Sequence, residues 1–247
     1  MKFEPIIRWM RQLNGRSNSA LYAPLLKNHN SQHLAFIRHL EKEIKAEKSL
    51  FTPLRELDVT VLDLETSGFS PEEGDRILSI GAVKVSGGRI LHDQTFYSLV
   101  HYDGRLSPRV QRLTGITEEQ LKNAPPLLEV LMQFYRFANG KNLVAHHAGH
   151  EKKFLQHANR SLLNISFHHR IIDTVWLVKT TETNLSSIRL EDCCSKLGID
   201  TANRHHALAD AMMTAHLWRS CIMKLSENGC HHLYDVYERI GRKQERG

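Results

Sequence analysis

Two acidic residues stand two positions apart in the segment VLDLETSG, residues 61–68. If the apolar residues before them form a buried strand, Asp63 and Glu65 project from one face of it, because side chains on a strand alternate between faces. Burial of two like charges side by side is unfavourable unless a cation compensates them. The pair is therefore a candidate metal site. Two acids beyond the strand end, in water, would give the same pattern.

Two later segments also combine acids with histidines: VAHHAGHEKKFL (144–155) and RHHALADAMMTAHL (204–217). In the first, Glu151 is expected in the first turn of a helix, where an acid also compensates the macrodipole by about 0.3–1 kcal/mol. In the second, His205 comes just before a helix and Asp210 lies in its first turns. A mobile histidine beside a fixed aspartate suits a proton acceptor next to a metal ligand. Taken alone, each segment is more often an ordinary feature of a helix start or a protein surface.

Hydrophobic periodicity and turn residues predict the elements that position these side chains. Three successive strands are expected at 58–65, 76–85 and 89–100, with the tight turn SGG (86–88) between the last two. Helices and two short strands then alternate along the chain. The strands are NLVAHH and the start of RIIDTVWLV, and the helices include HEKKFLQHANRSLL, LEDCCSKLG and ALADAMMTAHLWRSCIMKLSENG. This order predicts an α/β domain with a mixed sheet and helices on both faces.

The composition is that of an ordinary globular protein. The 247 residues, 41% hydrophobic and 24% charged, fit one α/β domain with an appendage or two small domains. The net charge of +6 is compatible with a polyanionic partner and proves none. No stretch approaches the roughly 20 apolar residues of a membrane span, and MKFEPIIRWMRQL lacks the apolar region of a signal peptide. We therefore expect a cytoplasmic protein that does not contact membranes.

The cysteine pattern argues against a zinc site, because none of the four cysteines forms a CxxC pair. Free thiols in a reducing cytoplasm are expected instead. The four residues are Cys193, Cys194, Cys221 and Cys230.

The chain is expected to divide into three parts. Residues 1–50 are predicted to form a basic, helical extension, in which Glu4 is the only acid among the first 40 residues. This extension would either pack as a cap on the core or clasp a nucleic acid. Residues 57–226 are expected to form the main domain, and residues 230–247 a C-terminal helix with a charged tail.

Read in order, the three acidic segments give DxE, then HxAxxE with its acid before FL, then HxAxxDA. This order resembles that of the DnaQ-like 3′–5′ exonucleases with the DEDDh motif, and in particular the exonuclease domain of the DNA polymerase III epsilon type. DRILSIGAV, LTGITEEQL followed by Ala124-Pro125, and IIDT also match the family pattern. The resemblance covers roughly residues 57–223 and leaves residues 1–50 outside.

The resemblance implies an RNase H-like fold, with a mixed five-stranded sheet flanked by helices, and two divalent ions, Mg²⁺ or Mn²⁺. It implies His205 as general base and Asp173 as a supporting residue. Four acids at the motif positions become the expected metal ligands: Asp63, Glu65, Glu151 and Asp210. Substrate contacts are implied at Thr66, Ser67, Gly68, His146 and His147.

The function implied is that of a metal-dependent 3′–5′ exonuclease that releases 5′-mononucleotides from single-stranded 3′ ends, with DNA favoured over RNA. Proofreading or DNA repair would add a polymerase or repair partner, and RNA trimming is a further role. Glu151 departs from the family, which usually has Asp there, and a longer side chain could weaken one metal site or favour Mn²⁺. Two alternatives remain open: a nucleic-acid-binding module with weakened catalysis, and a hydrolase of short oligonucleotides or small nucleotides.

Overall fold

The computed structural model describes residues 49–139, 141–182 and 187–244. The helix and the basic clasp or cap expected in residues 1–48 lie outside the described residues. The described chain begins with two short 3₁₀ turns, Ser49–Phe51 and Leu54–Glu56, which lead directly into the sheet.

Five strands form one mixed sheet in the order β3-β2-β1-β4-β5. The first three strands in the chain are antiparallel neighbours, whereas β4 pairs parallel to β1 and β5 parallel to β4. This mixed five-stranded sheet confirms the predicted architecture. The strands are β1 (Asp58–Thr66), β2 (Ile77–Ser86), β3 (Arg89–Leu99), β4 (Asn142–Ala145) and β5 (Ile171–Asp173).

Helices follow β3 and then flank the shorter strands. A capping box opens α2, where the Thr117 side chain and the Gln120 side chain each accept a backbone hydrogen bond. A π-helical turn, Asn159–Leu163, continues α4. The helices are α1 (Pro108–Thr114), α2 (Glu118–Lys122), α3 (Leu127–Ala138), α4 (Gly149–Ala158), α5 (Thr174–Thr181), α6 (Leu190–Lys196), α7 (Ala207–Glu227) and α8 (Leu233–Gln244).

The sheet carries a hydrophobic core on each face, because alternate residues of β1 point to opposite sides. Val59 and Val61 belong to the core that includes Trp218 of α7. Leu62 and Leu64 belong to the core formed with α3 and α4. The face of β1 that carries the two candidate acids is therefore the face covered by α7.

Helix α8 is part of the first of these cores. Leu233 and Val236 are fully buried in it, and the backbone N–H of Leu54 donates to the carbonyl of His231 at 2.8 Å. The helix expected in residues 230–247 is therefore packed against the main domain in the structure. In the described part of the chain, no helix has the length and apolar character that crossing a bilayer requires.

Candidate active site

The first pair of acids lies near the C-terminal end of β1. Glu65 is almost completely buried, with 8% of its surface exposed, and Asp63 is partly buried. Asp63 pairs across the sheet with Gly81 of β2, and the β1–β2 register shifts between Glu65 and Thr66. The strand therefore presents both carboxylates at the point where regular pairing ends.

Helix α7 reaches this point because β2 has a glycine beneath it. A Cβ atom on Gly81 would lie 2.2 Å from backbone atoms of Ala207 and Leu208, so any larger residue would push the start of α7 away from the sheet. The close approach places Asp210, in the first turn of α7, beneath the surface with 2% exposure. Close backbone packing here is what brings Asp210 to the acids of β1.

The segment before α7 holds one oxygen of Asp210. Its Oδ2 atom accepts hydrogen bonds from the guanidinium of Arg204 and, at 3.2 Å, from the backbone N–H of His205. Arg204 also pairs with Glu191 of α6 at 3.1 Å. His205 itself has a left-handed backbone, with φ of 66°, which turns the chain sharply into the helix.

Glu151 comes from a third element, the first turn of α4, and is 4% exposed. The loop between β4 and α4 is held by Asp173, whose carboxylate accepts the backbone N–H groups of His147 and Ala148, each at 3.1 Å. Asp173 also accepts from Val175 at 2.9 Å and so caps α5. The predicted supporting role of Asp173 is confirmed by these contacts.

The three elements bring the candidate residues together. Ligand atoms of Glu65, His205 and Asp210 all lie within 4.8 Å of one another. Asp63 and Glu151 lie outside this tight set, yet the charges of Glu151, Asp210 and Glu65 all act on Asp63 to raise its pKa. The sequence separates these groups by up to 147 positions, and the fold makes them one electrostatic cluster.

Burial disfavours the charged form of every acid in the cluster, and repulsion by other acids adds to this effect at Asp63, Glu65 and Glu151. Desolvation raises the pKa of Glu65 to about 7 and that of Glu151 to about 8. Burial is also the main reason that the pKa values of Asp63 and Asp210 are raised. The positive charge of Arg204 acts in the opposite direction on Glu65, Asp63 and Asp210 but does not offset burial.

The donor set fits a divalent cation. Among the described residues, Oδ1 of Asp210 and Oε2 of Glu151 are buried and have no hydrogen-bond partner. Buried polar atoms without a partner are rare in native proteins and call for an explanation. Carboxylate oxygens are the ligands that Mg²⁺ and Mn²⁺ prefer, so a bound cation would satisfy these atoms and favour the ionised acids.

The loop after β1 contains three of the expected substrate contacts. The Thr66 hydroxyl donates to the carbonyl of Gly68 at 2.7 Å, and the Ser67 hydroxyl donates to Asp75 at 3.1 Å. Asp75 fills the space beside Gly68, where a Cβ atom would lie 2.3 Å from its carboxylate. These contacts hold the loop rigid, and Phe69 at its tip is 75% exposed.

The two expected histidine contacts have different positions. His147 is exposed, with a left-handed φ of 58°. His146 is 7% exposed, and its ring nitrogens contact the Thr174 hydroxyl at 2.8 Å and the Ile188 carbonyl at 2.7 Å. Because both nitrogens already have partners inside the protein, we assign His146 a structural role instead of the substrate contact expected from the resemblance.

Arg204 and Asp75 are the residues near the site that sequence reasoning missed. Arg204 stands directly before His205, so its position in the chain is a signal that could have found it. Its pairing with both Glu191 and Asp210 depends on how α6 packs beside α7. Asp75 is the first residue of DRILSIGAV, which matched the family pattern, but its partners Ser67 and Ser70 are typical of any polar loop and gave no sign of its place beside the site.

Comparison with protein families and curated proteins places this geometry in context. The family model RNase_T, described as Exonuclease, matches residues 60–218. DNA polymerase III PolC-type of Thermotoga maritima is 32% identical over 176 residues, which cover 71% of this chain and 13% of the polymerase. DNA polymerase III subunit epsilon-like protein of Rhodobacter capsulatus is 33% identical over 180 residues, which cover 72% of this chain and 25% of that protein. The chain spans only 12–14% of the length of four PolC-type polymerases.

Solved structures show the same fold. The chain is similar to Exonuclease X in complex with 5′ overhanging duplex DNA, with a TM-score of 0.56 and 21% identity over 72% of this chain and 99% of that one. It is also similar to the nuclease domain of 3′hExo, a DEDDh family member bound to rAMP. The TM-score is 0.58 and the identity 21%, over 71% of this chain and 94% of that one. These similarities confirm the predicted RNase H-like fold class.

Proposed function

The chain belongs to the RNase_T family of DnaQ-like exonucleases, and from this premise we propose that it is a metal-dependent 3′–5′ exonuclease. Its substrate would be a single-stranded 3′ end, from which it releases 5′-mononucleotides. The observation that carries the proposal is the convergence of four acids from β1, α4 and α7, three of them buried and Asp63 partly buried, with two of the acids beside His205. Such a cluster destabilises the fold, and we explain its presence by a need to bind divalent ions for phosphodiester hydrolysis.

The acids are proposed to act as metal ligands. Asp210 has one oxygen held by Arg204 and His205 and the other without a partner, so the held oxygen orients the free one. Hydrogen bonds of this kind commonly fix the orientation of ligating carboxylates. When bound, two divalent ions supply Lewis acidity at the attacking and leaving oxygens of an in-line displacement. The oxygen-rich ligand set favours Mg²⁺ or Mn²⁺.

His205 is proposed as the general base. It lies within 4.8 Å of the ligand atoms of Glu65 and Asp210. Partial burial, together with the positive charge of Arg204, lowers the pKa of its ring below the ordinary value. The ring is therefore neutral at neutral pH and has a nitrogen able to accept the proton of an attacking water.

The rigid loop after β1 offers a surface for the terminal nucleotide. Thr66 lies 3.2 Å from the His150 ring, and that ring meets Phe69 edge to face at 5.7 Å between centroids. Stacking of a base on an exposed aromatic ring contributes about 1–3 kcal/mol and is tolerant of sequence. Phe69 would thus hold the 3′-terminal base of an unpaired strand, while Thr66, Ser67, Gly68 and His147 border its sugar and phosphate.

DNA is the favoured substrate. The curated relatives named above are a DNA polymerase and an epsilon-like polymerase subunit, which also supports a polymerase or repair partner. The four cysteines are free and buried, a state that suits the reducing cytoplasm in which we place the protein.

A gel assay tests the proposal. Matched 5′-labelled single strands of DNA and RNA are incubated with Mg²⁺, Mn²⁺ or EDTA, using the wild type and Asp63→Ala. We expect a metal-dependent ladder that shortens from the 3′ end, absent in the variant, with DNA degraded faster than RNA. A wild-type protein that leaves both polymers intact would refute the exonuclease, and an active Asp63→Ala protein would refute the site assignment.

A further inference from the structure

A second charged surface lies beyond the carboxylate cluster, between the β2–β3 turn and the middle of α7. It surrounds a cavity of about 440 Å³, a volume within the usual range of ligand sites. We call it the basic groove. It is lined by Gly87, Gly88, Arg89, Ile90, His92, His216, Arg219 and Met223.

The positive charge of the basic groove is not neutralised. Its lining contains no acid. Arg89 and Arg219 are both exposed, and within the described ranges neither takes part in an ion pair or side-chain hydrogen bond. Burial, then the charges of His92 and Arg219, lower the pKa of His216. Four cationic or protonatable side chains therefore face one cavity, and their charge favours binding of an anion.

Two ring pairs link β3 to α7 and to the residue before it, one near the carboxylates and one in the groove. Tyr97 stacks on His206 at 4.4 Å between centroids, and farther along His92 faces His216 at 6.1 Å. Tyr97 pairs with the same β2 residue as Asp63, so the first ring pair lies level with the acids. Both rings of that pair are exposed. The carboxylate cluster and the basic groove therefore lie along the same edge of the molecule, between β3 and α7.

We propose that the basic groove binds backbone phosphates of the nucleic-acid strand whose 3′ end lies at the carboxylate cluster. This inference rests on the proposed exonuclease function. Arg89 and Arg219 would contact the phosphates, while the exposed Tyr97–His206 pair, which lies level with the acids, contacts a base. Because the cations lie at the surface, they bind a polyanion without the desolvation cost that buried charges would carry.

The distance between the two sites sets the length of strand that reaches both. From Asp210 to Arg219 is nine residues of α7, or about 13 Å along the helix axis. At ~3.4 Å per phosphate of a stacked strand, this corresponds to about four phosphates. A dinucleotide would therefore reach only the carboxylates, whereas a longer oligonucleotide would reach the groove as well.

The test compares two double variants of equal charge. Arg89→Gln with Arg219→Gln removes the two groove cations, and Arg136→Gln with Arg160→Gln removes two exposed arginines from the layer of α3 and α4 on the other face of the sheet. Binding of labelled DNA strands of about twelve nucleotides is measured by fluorescence anisotropy in EDTA over a range of salt concentrations. Metal-dependent cleavage of a dinucleotide and of the longer strand by the wild type is measured in parallel.

We expect the groove variant to bind the long strand about tenfold more weakly, and the salt dependence of log K to fall by about 1.4, since each phosphate contact in a single strand contributes about 0.7. The control variant should keep the wild-type slope. A groove variant with the wild-type slope and affinity would overturn the proposal even if the wild type cleaves both substrates. A wild type that cleaves neither substrate would instead refute the exonuclease itself.

Discussion

Burial has opposite consequences for the acids of the candidate site and for two histidines in the interior. His146 and His169 each have a pKa lowered to about 4, chiefly by desolvation. At neutral pH both rings are therefore uncharged. Glu65 and Glu151 have pKa values raised to about 7 and about 8 by the same cause. At neutral pH these acids are held close to the point at which they take up a proton.

The difference separates a structural use of buried ionisable groups from a functional one. His146 has partners on both ring nitrogens, and His169 stacks on Tyr135 at 5.3 Å and 9°, so each contributes to packing as a neutral ring. Nε2 of His169 is buried without a hydrogen-bond partner, as are Oε2 of Glu151 and Oδ1 of Asp210, but the acids, unlike His169, lie together in one electrostatic cluster. Strongly perturbed carboxylates in one cluster are typical of functional sites, and a bound cation would satisfy the buried oxygens that have no partner.

The largest effect is expected for Asp63→Asn, which removes one charge while keeping the shape. We expect kcat/KM to fall at least about 10³-fold, because metal-assisted charge stabilisation is worth several kcal/mol. In the absence of metal, the variant should unfold at a higher temperature, by about 2–4 °C for each 1 kcal/mol of relieved repulsion. Kinetics and thermal melts in EDTA measure the two changes. Unaltered activity, or a lower melting temperature, would contradict the account of the acids.

The histidine side of the comparison is tested by His169→Phe. The unfolded chain binds a proton at the ordinary histidine pKa near 6.5, whereas the folded protein resists protonation down to about pH 4. Stability is therefore lost as pH falls through this window, by about 2 kcal/mol at pH 5. His169→Phe should therefore lose less free energy of unfolding than the wild type on acidification, by about this amount, because phenylalanine keeps the stacking and cannot be protonated.

Urea denaturation at pH 7.5 and pH 5 measures the effect of His169→Phe. The acids contribute equally to wild type and variant, so their titration cancels in the difference. His231→Gln is the matched control, because it removes an exposed histidine instead of a buried one. If His169→Phe and the wild type lose the same stability between the two pH values, His169 is not the neutral buried ring described here.

A smaller effect is expected for Glu151→Asp. Aspartate is one methylene shorter but supplies the same charge and ligand type in a buried position. We expect activity within about tenfold of the wild type, a smaller loss than the roughly 10²-fold that a 1 Å misplacement of reacting groups can cause, because the carboxylate charge is kept. We also expect an altered ratio of Mg²⁺- to Mn²⁺-supported rates. Steady-state rates in each metal measure this. Complete loss of activity would show that the surrounding geometry requires the longer glutamate.

Much of the fold could be predicted because its signals are local. The alternation in β1 located the face that carries Asp63 and Glu65, and the tight turn SGG (86–88) located the hairpin of β2 and β3. The close approach of α7 to β2 was not predicted, although Gly81 makes it necessary, because a glycine within a strand does not reveal what packs on it.

Tertiary contacts explain what the sequence could not show about the site. Side-chain alternation says nothing of the Ile188 carbonyl, which lies 42 positions from His146 in the chain and contacts its ring. The pairing of Arg204 with Glu191 likewise depends on the placement of α6. Motif order indicated which acids would meet, whereas the partners that orient them become visible only once the helices are packed.

The most direct test of the central claim is a titration with Mn²⁺, in which free ion is measured by electron paramagnetic resonance. The wild type is compared with Glu65→Gln/Asp210→Asn, a double variant that keeps the shape of both side chains. We predict that the wild type binds Mn²⁺ and that the folded variant binds it at least about tenfold more weakly, as expected when a metal site is damaged. Equal Mn²⁺ binding by the two proteins would show that the buried acids are not the metal site.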